Sequence, residues 1–345
     1  MGLYNIVYCT FDDKSRIQAF INNHWKVNHS LVVSSELLEF QHLSADGRSF
    51  HYIAAENNET KEFDAIIGYI PTSQYDTGLL EKGDYWGAIW KIREDISNSE
   101  INTVGFFLWK KMFKLPYFNS YGAIGISNIA KQIYEASRLE IGYLKQYYIV
   151  NEAKTEFSIA KNITPKQLNE DRSNFSIKEI KLDEIVNNII NPAYSPQKSI
   201  TYFKNRYELH PIYNYKFLGI FDNNKTLISV WAVRFINVND SSVVRVIDVL
   251  GDLNGINNIY SQIQELLSAT DAEYIDFMNH GIPAKIFKKM GFEELNLEDN
   301  IILPNYFEPF EQRNVKIELA YKADFDYVVF KGDADQDRPN IINSL

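Results

Sequence analysis

The chain has 345 residues, 45% of them hydrophobic and 14% aromatic, enough to bury a large core, so wholesale disorder is excluded. Lys and Arg number 35 against 45 Asp and Glu, and the formal net charge of −10 argues against sequence-neutral nucleic-acid binding, which needs clustered cations. The lone Cys9 excludes an internal disulfide and a thiolate metal cluster.

In chain order, Tyr4–Thr10 reads as a strand and Arg16 to Trp25 as a helix. Leu31–Val33, His51–Ala55 and Ala65–Tyr69 read as strands. Tyr85–Ile92 is a stronger strand, with Trp86, Ala88, Trp90 and Ile92 on one face by period two. A polar stretch, Arg93–Asn102, precedes a helical pattern from Gly105 to Leu115, which Pro116 ends. Tyr117–Ile126 is a strand, Ser127 or Asn128 caps a helix to about Leu139, and Ile141–Val150 is again strand-like. Residues 151–174 are polar, with a charge cluster at Asn169–Arg172, and read as a linker or peripheral segment.

The second half repeats the order. Phe175–Lys181 is a strand and helical segments run through Tyr207. A hairpin turns at Asp222–Lys225, and Val243–Leu250 is a strand. Gly255–Ala269 is helical, Glu273–Met278 a strand and Pro283–Met290 a helix. Both halves thus run strand, turn, helix, strand, helix, strand. The expected class is α+β, with mostly antiparallel sheets and a local βαβ element in each of two units, 1–150 and 151–345.

No Walker loop, Gly-x-Gly-x-x-Gly or Gly-x-Ser-x-Gly is present. No metal set is expected. His24 and His29, five apart, diverge by about 140° on a helix. Asp333–Asp337 begins like a calcium loop, but Arg338 stands at the sixth position and Ser344 at the twelfth. The N-terminus lacks a basic signal-peptide region and no apolar run of about 18 residues exists, so a cytoplasmic protein without a membrane span is expected.

The sharpest signal is Asn128-Ile129-Ala130-Lys131-Gln132-Ile133-Tyr134-Glu135, opening a helix directly after a strand. It resembles the Asn-x-x-Ala…Leu-Tyr-Glu pattern of the GNAT acyltransferase superfamily. The resemblance implies a tandem pair of GNAT-like folds and an acyl-CoA donor. It places Asn128 and Tyr134 near the thioester, with Tyr134 protonating the departing thiolate. It also implies that the strand ending Trp90, Lys91, Ile92 bonds the pantetheine. The loop and helix start at Asn102, Thr103, Val104, Gly105 and Phe106 would then cradle the pyrophosphate. That stretch carries one glycine and no arginine, a departure from the family pattern.

In the second half, Ile286-Phe287-Lys288-Lys289-Met290-Gly291-Phe292 echoes the family's closing motif, but Phe287 stands where the tyrosine would be. Asp252 stands where a pyrophosphate would be repelled. Acyl-CoA is therefore expected on residues 1–150 and the acceptor on 151–345.

Three polar, aromatic stretches suit an acceptor: Arg206, Tyr207 and His210; Asn305, Tyr306, Phe307 and Glu308; and Asp335 with Arg338. An arginine grips a diphosphate bidentately and a flat ring stacks on a base. His24-Trp25 to His29, Phe40-Gln41-His42, Pro304–Phe310 and Asp333–Asn340 together resemble two-domain GNAT proteins of bacterial surface-polysaccharide (lipopolysaccharide O-antigen) gene clusters. Some of these acylate a dTDP-linked 3-amino-3,6-dideoxyhexose with acetyl-CoA or 3-hydroxybutanoyl-CoA. The implied function is N-acyl transfer to a nucleotide-linked amino sugar. His42 or His29 would be the base, with Asp248 and Glu308 as further candidates. The alternatives are a non-catalytic binding protein, or acyl transfer to a peptide or protein amine.

Overall fold

The computed structural model describes residues 2–96, 100–165, 174–185, 189 and 191–340, apart from the side chain of Asn102. The cluster Asn169–Arg172 lies outside them. The first half runs β1 (Tyr4–Thr10), α1 (Lys14–Phe20), α2 (Ser30–Val33), α3 (Ser35–His42), β2 (Ser49–Asn57), β3 (Phe63–Pro71) and β4 (Asp84–Ile92). It continues with α4 (Glu100–Met112), β5 (Ser120–Ile124), α5 (Asn128–Ala136), β6 (Glu140–Tyr143) and β7 (Lys145–Val150). The second half opens with β8 (Ser176–Glu179), α6 (Ile200–Phe203), β9 (Lys216–Phe221), β10 (Leu227–Val238) and β11 (Ser241–Gly251). Then come α7 (Tyr260–Thr270), β12 (Ala272–His280), α8 (Ala284–Met290) and β13 (Glu293–Glu294). A small hairpin of β14 (Tyr306–Phe307) and β15 (Phe310–Glu311) precedes β16 (Glu318–Lys322) and β17 (Val329–Phe330). Among the described residues no helix is long and apolar enough to cross a membrane.

Most of the expected elements form. Leu31–Val33 does not become a strand. His29 caps a short helix there, its Nδ1 accepting the Leu31 N–H, and Leu31 is buried. That capping bond outweighs the strand preference of the two valines.

Two sheets result, of order β1-β2-β3-β4-β5-β16-β6 and β13-β7-β12-β11-β10-β9-β8, with β17 also paired to β12. Within them β4–β5 and β11–β12 are parallel, and the other pairs are antiparallel. The expected α+β class holds. The units exchange strands reciprocally: β16 from the second half lies between β5 and β6, and β7 from the first lies between β12 and β13. The exchange crosses residue 150, because the run Ile141–Val150 divides at Leu144 into strands of different sheets. The physical reason shows in their burial. Residues 146–150 are buried throughout, as a central strand requires, whereas β6 is an edge strand with its residues half-buried or exposed.

On one face of the first sheet, Ile53, Ala65, Ile67 and Tyr121 pack against Leu108, Trp109 and Met112 of α4 and Tyr134 of α5. On the other, Tyr52, Ala54, Ile66 and Ile89 meet Ile17 and Phe20 of α1 and Leu37 and Leu38 of α3. A third cluster joins the halves: Trp86 and Ile124 with Val230, Ile247, Tyr202 and Tyr327.

Candidate active site

Each unit opens a gap in its sheet at the same topological point. β4 and β5 pair in parallel from Asp84–Ser120 to Gly87–Ala123 and no further. There β4 carries a bulge, one extra residue opposite Ile67–Tyr69 of β3, and Ala88–Ile92 continue along β3 alone. In the second unit the last parallel pair is Val246–Phe277, and β11 bulges at Ile247 opposite Ala232–Val233. A bulge bends its strand and turns the residues beyond it in a new direction, so each parallel pair splays into a V.

The two V-shaped gaps are filled differently. In the second, the Lys331 N–H donates to the Met278 carbonyl at 3.0 Å and the Gly332 N–H to the Ile247 carbonyl at 2.7 Å, so a main-chain segment bridges both strands. In the first, among the described residues no main-chain segment bridges the strands. The side chain of Gln336 reaches the β5 side of it, its Nε2 donating to the Ile124 carbonyl at 2.8 Å.

The stretch expected at a phosphate-binding helix start lies deeper in its helix. Val104, Gly105 and Phe106 lie past the first turn of α4 (Glu100–Met112). Val104 is buried and Thr103 and Phe106 are exposed, while the side chain of Asn102 lies outside the described residues. Gly105 has a packing role instead, since a Cβ there would stand 2.2 Å from Ile92 Cδ1. On β4, Trp90 and Ile92 are half-buried, and Lys91 pairs with Glu94. Asn128 opens α5 in an exposed position, after Ser127 caps the helix by accepting the Ala130 N–H.

Tyr134 sits under the first gap, on the α4 face of the sheet. Its ring packs against Trp109, with centroids 5.0 Å apart, and Trp90, 5.9 Å. Its hydroxyl is 3.4 Å from that of Tyr121 on β5, and the side chain is buried. Burial pushes its pKa up to about 12, so the phenol stays protonated near neutral pH.

The histidines lie on the opposite face. His42 ends α3, fully buried, its ring 4.6 Å from that of Tyr52. Its Nδ1 lies 3.2 Å from the Tyr69 carbonyl. A carbonyl only accepts, so Nδ1 carries the proton and Nε2 keeps its lone pair. His29 is the reverse: its Nδ1 accepts the Leu31 N–H, so the neutral ring bears its proton on Nε2. Burial, and next the charge of Arg338, lower the His29 pKa to about 3; burial, then His51, do the same for His42. Both Nε2 atoms are buried without a hydrogen-bond partner, as are Gln41 Oε1, Ser30 Oγ, the hydroxyls of Tyr52 and Tyr75, and Arg338 Nε. Each such group costs about 1–3 kcal/mol left alone.

Of the three acceptor stretches, two converge. Asn305–Glu308 and Gln336, Asp337, Arg338 and Asn340 line one small cavity of about 40 Å³ with Tyr213, Arg234, Arg245 and Lys331. Glu308 accepts from Arg234 at 3.3 Å and from the Asn340 N–H, while Arg338 pairs with Asp335 at 2.6 Å. Asn305 donates to the Val315 carbonyl, and Phe307 lies beneath the Arg245 guanidinium. The Tyr306 ring faces the Lys331 ammonium at 5.3 Å.

The third stretch stands behind them, a correction to the expected diphosphate grip. Arg206 is buried, and its guanidinium donates to the carbonyls of Gly332 and Ala334. Tyr207 donates to Asp248, and His210 accepts the N–H groups of Ile212 and Tyr213. This group clamps the loop that lines the cavity.

Several residues escaped sequence reasoning. Lys198 lies between two buried carboxylates, 2.6 Å from Asp248 and 2.9 Å from Asp333, and anchors the segment that fills the second gap. Arg234 spans Glu308 and Asp337. The density of polar residues after Gly332 marked the segment, but no local pattern distinguished Gln336 from its neighbours.

The sequence matches no family model and no curated protein. Among solved structures, the chain is similar to a GCN5-related N-acetyltransferase from Anabaena variabilis ATCC 29413. The TM-score is 0.53 at 7% identity, over 92% of this chain and 72% of that one. It is also similar to a protein from Enterococcus faecalis V583 described as a probable N-acyltransferase. There the TM-score is 0.52 at 6% identity, over 91% of this chain and 71% of that one. At such identities the likeness is one of fold. Together with the repeated strand–helix–strand–helix order and the two bulged gaps, it shows that the chain has the GNAT-like fold.

Proposed function

We propose that the protein is an N-acyltransferase that binds acyl-CoA in the gap between β4 and β5. The observation that carries this reading is the free edge of Ala88–Ile92, whose N–H and C=O groups have no main-chain partner on the β5 side among the described residues. An edge of this kind pairs with an extended chain carrying amides, as pantetheine does. Acyl-CoA supplies the activated carbonyl. The acceptor amine approaches from the His42 face, and the thiolate leaves on the Tyr134 face. His42, with Nε2 unprotonated, accepts a hydrogen bond from the amine and aligns it for attack, and the amine's proton passes on to solvent. Tyr134, protonated and hydrogen-bonded to Tyr121, donates to the leaving sulfur.

The acceptor we propose is a nucleotide-linked amino sugar, dTDP-linked by the resemblance. Its support is the set of unpaired buried donors and acceptors at His29, Ser30, Gln41, Tyr52, Tyr75 and Arg338, because a sugar hydroxyl both donates and accepts. The test is thiol release from acetyl-CoA and 3-hydroxybutanoyl-CoA in the presence of dTDP-, UDP- and GDP-linked amino sugars, with a peptide amine in parallel. Turnover confined to a nucleotide sugar supports the reading. Turnover with the peptide alone overturns the acceptor, and CoA binding without turnover on any amine overturns the enzyme in favour of a binding protein.

A further inference from the structure

The two gaps are closed by neighbouring residues of one segment, and by matching bonds. In the second unit the acceptor is the Met278 carbonyl, one residue past the last parallel pair, and the donor is the main-chain N–H of Lys331. In the first unit the acceptor is the Ile124 carbonyl, again one residue past the last parallel pair. The register fixes where that carbonyl points. The Gly125 N–H donates to the Glu318 carbonyl of β16, so by alternation the polar groups of Ile124 face the other way, into the gap beside β4. The Gln336 side-chain amide meets it there.

The two closures differ in what forms them. The second is a strand: β17 pairs with β12 at Phe330–Asn279 and Val329–His280, and the Lys198 ammonium and the Arg206 guanidinium hold the adjoining turn. The first is a single side chain, held by one hydrogen bond and lying against Gly125. That residue has a φ of +77°, and a Cβ on it would come within 2.8 Å of Gln336 Nε2. A side chain leaves such a position by rotating about its own bonds, whereas a paired strand does not.

We infer that Gln336 occupies the apex of the first gap, where the acyl group of a bound thioester is received, and that its side chain sets the length of acyl chain the protein accepts. This rests on the acyl-CoA reading above. The gap narrows toward the Gly87–Ala123 pair, so any chain running down from the open end meets Gln336 before it meets the paired strands. A short acyl group stops against the amide. A longer one needs the space the side chain fills.

The test is calorimetric binding of CoA, acetyl-CoA and hexanoyl-CoA to the full chain and to Gln336→Ala, with Gln336→Asn as a milder variant should the alanine variant fail to fold. The expected result is that the wild type binds acetyl-CoA at least tenfold more tightly than hexanoyl-CoA. Gln336→Ala closes that difference by tenfold or more and Gln336→Asn by a smaller factor, with the affinity for CoA itself within twofold. An acetyl-to-hexanoyl ratio unchanged in the folded variants overturns the role of Gln336 and leaves the acyl-CoA reading standing. Absence of CoA binding to the wild type overturns both.

Discussion

The Nδ1–H of His42 donates to the Tyr69 carbonyl at 3.2 Å, and this one main-chain contact with β3 decides which nitrogen of a buried ring keeps a lone pair. His29, with its Nδ1 committed to the Leu31 N–H, presents a proton instead. His42→Gln is therefore expected to lower kcat by about 10² with little change in the KM for acyl-CoA. His29→Ala is expected to act mainly on the KM of the acceptor. Steady-state kinetics with each substrate varied separates the two.

The same burial makes the protein acid-sensitive. His29 and His42 are held near 3, and His51 and His210 near 4, each chiefly by burial. Above pH 6.5 both folded and unfolded chains carry these rings neutral. As pH falls below 6.5 the unfolded chain takes up protons that the folded chain refuses, so stability falls. The slope is roughly 1.4 kcal/mol per pH unit for each ring. Urea midpoints measured from pH 7 to 4.5 check this, and His42→Gln should make the decline shallower by one proton.

Tyr134→Phe is expected to lower kcat by roughly 10² while the KM for acyl-CoA stays within about twofold, since the ring and its packing on Trp109 remain. A kcat within threefold of the wild type makes Tyr134 a packing residue only.

Arg206 and Arg338 should separate stability from recognition. Arg206→Ala removes the donors of two buried carbonyls, and it is expected to cost about 3 kcal/mol of unfolding free energy. Arg338→Ala, whose partner Asp335 is itself partly exposed, should leave stability within about 1 kcal/mol. It should raise the KM of the acceptor about tenfold. Denaturant unfolding and kinetics on the same preparations decide both.

Gly281 follows β12 at a φ of +97°, and a Cβ there would come within 2.2 Å of the Tyr327 carbonyl. Gly281→Ala combines a left-handed backbone with a main-chain clash, and about 2–4 kcal/mol of destabilisation is expected. Thermal unfolding measures it.

The order of elements was legible in the sequence because periodicity and capping are local. Trp86, Trp90 and Ile92 marked β4, and Asn128 to Tyr134 marked α5. The sheet each strand joins was not legible. The run Ile141–Val150 has no feature that tells β6 from β7, because pairing is settled by partners more than 100 residues away. Gly105 read as a helix start, since a glycine that lets a helix approach Ile92 looks in sequence like one that breaks a helix. Arg206 read as a ligand grip, since nothing local reveals that the carbonyls of Gly332 and Ala334 would claim it. The acceptor stretches at 305–308 and 335–338 stood out through composition, and their meeting was a matter of tertiary structure alone.

The reciprocal strand exchange has a consequence for synthesis. The first sheet lacks its sixth strand until residues 318–322 have left the ribosome, and the second takes β7 from chain made long before the rest of it. Neither half is therefore a self-sufficient folding unit, and the usual sequence of N-terminal domain first does not apply. Until residues 318–322 have been made, the nascent chain carries an open edge at β5, and both sheets are completed only once the second half is present.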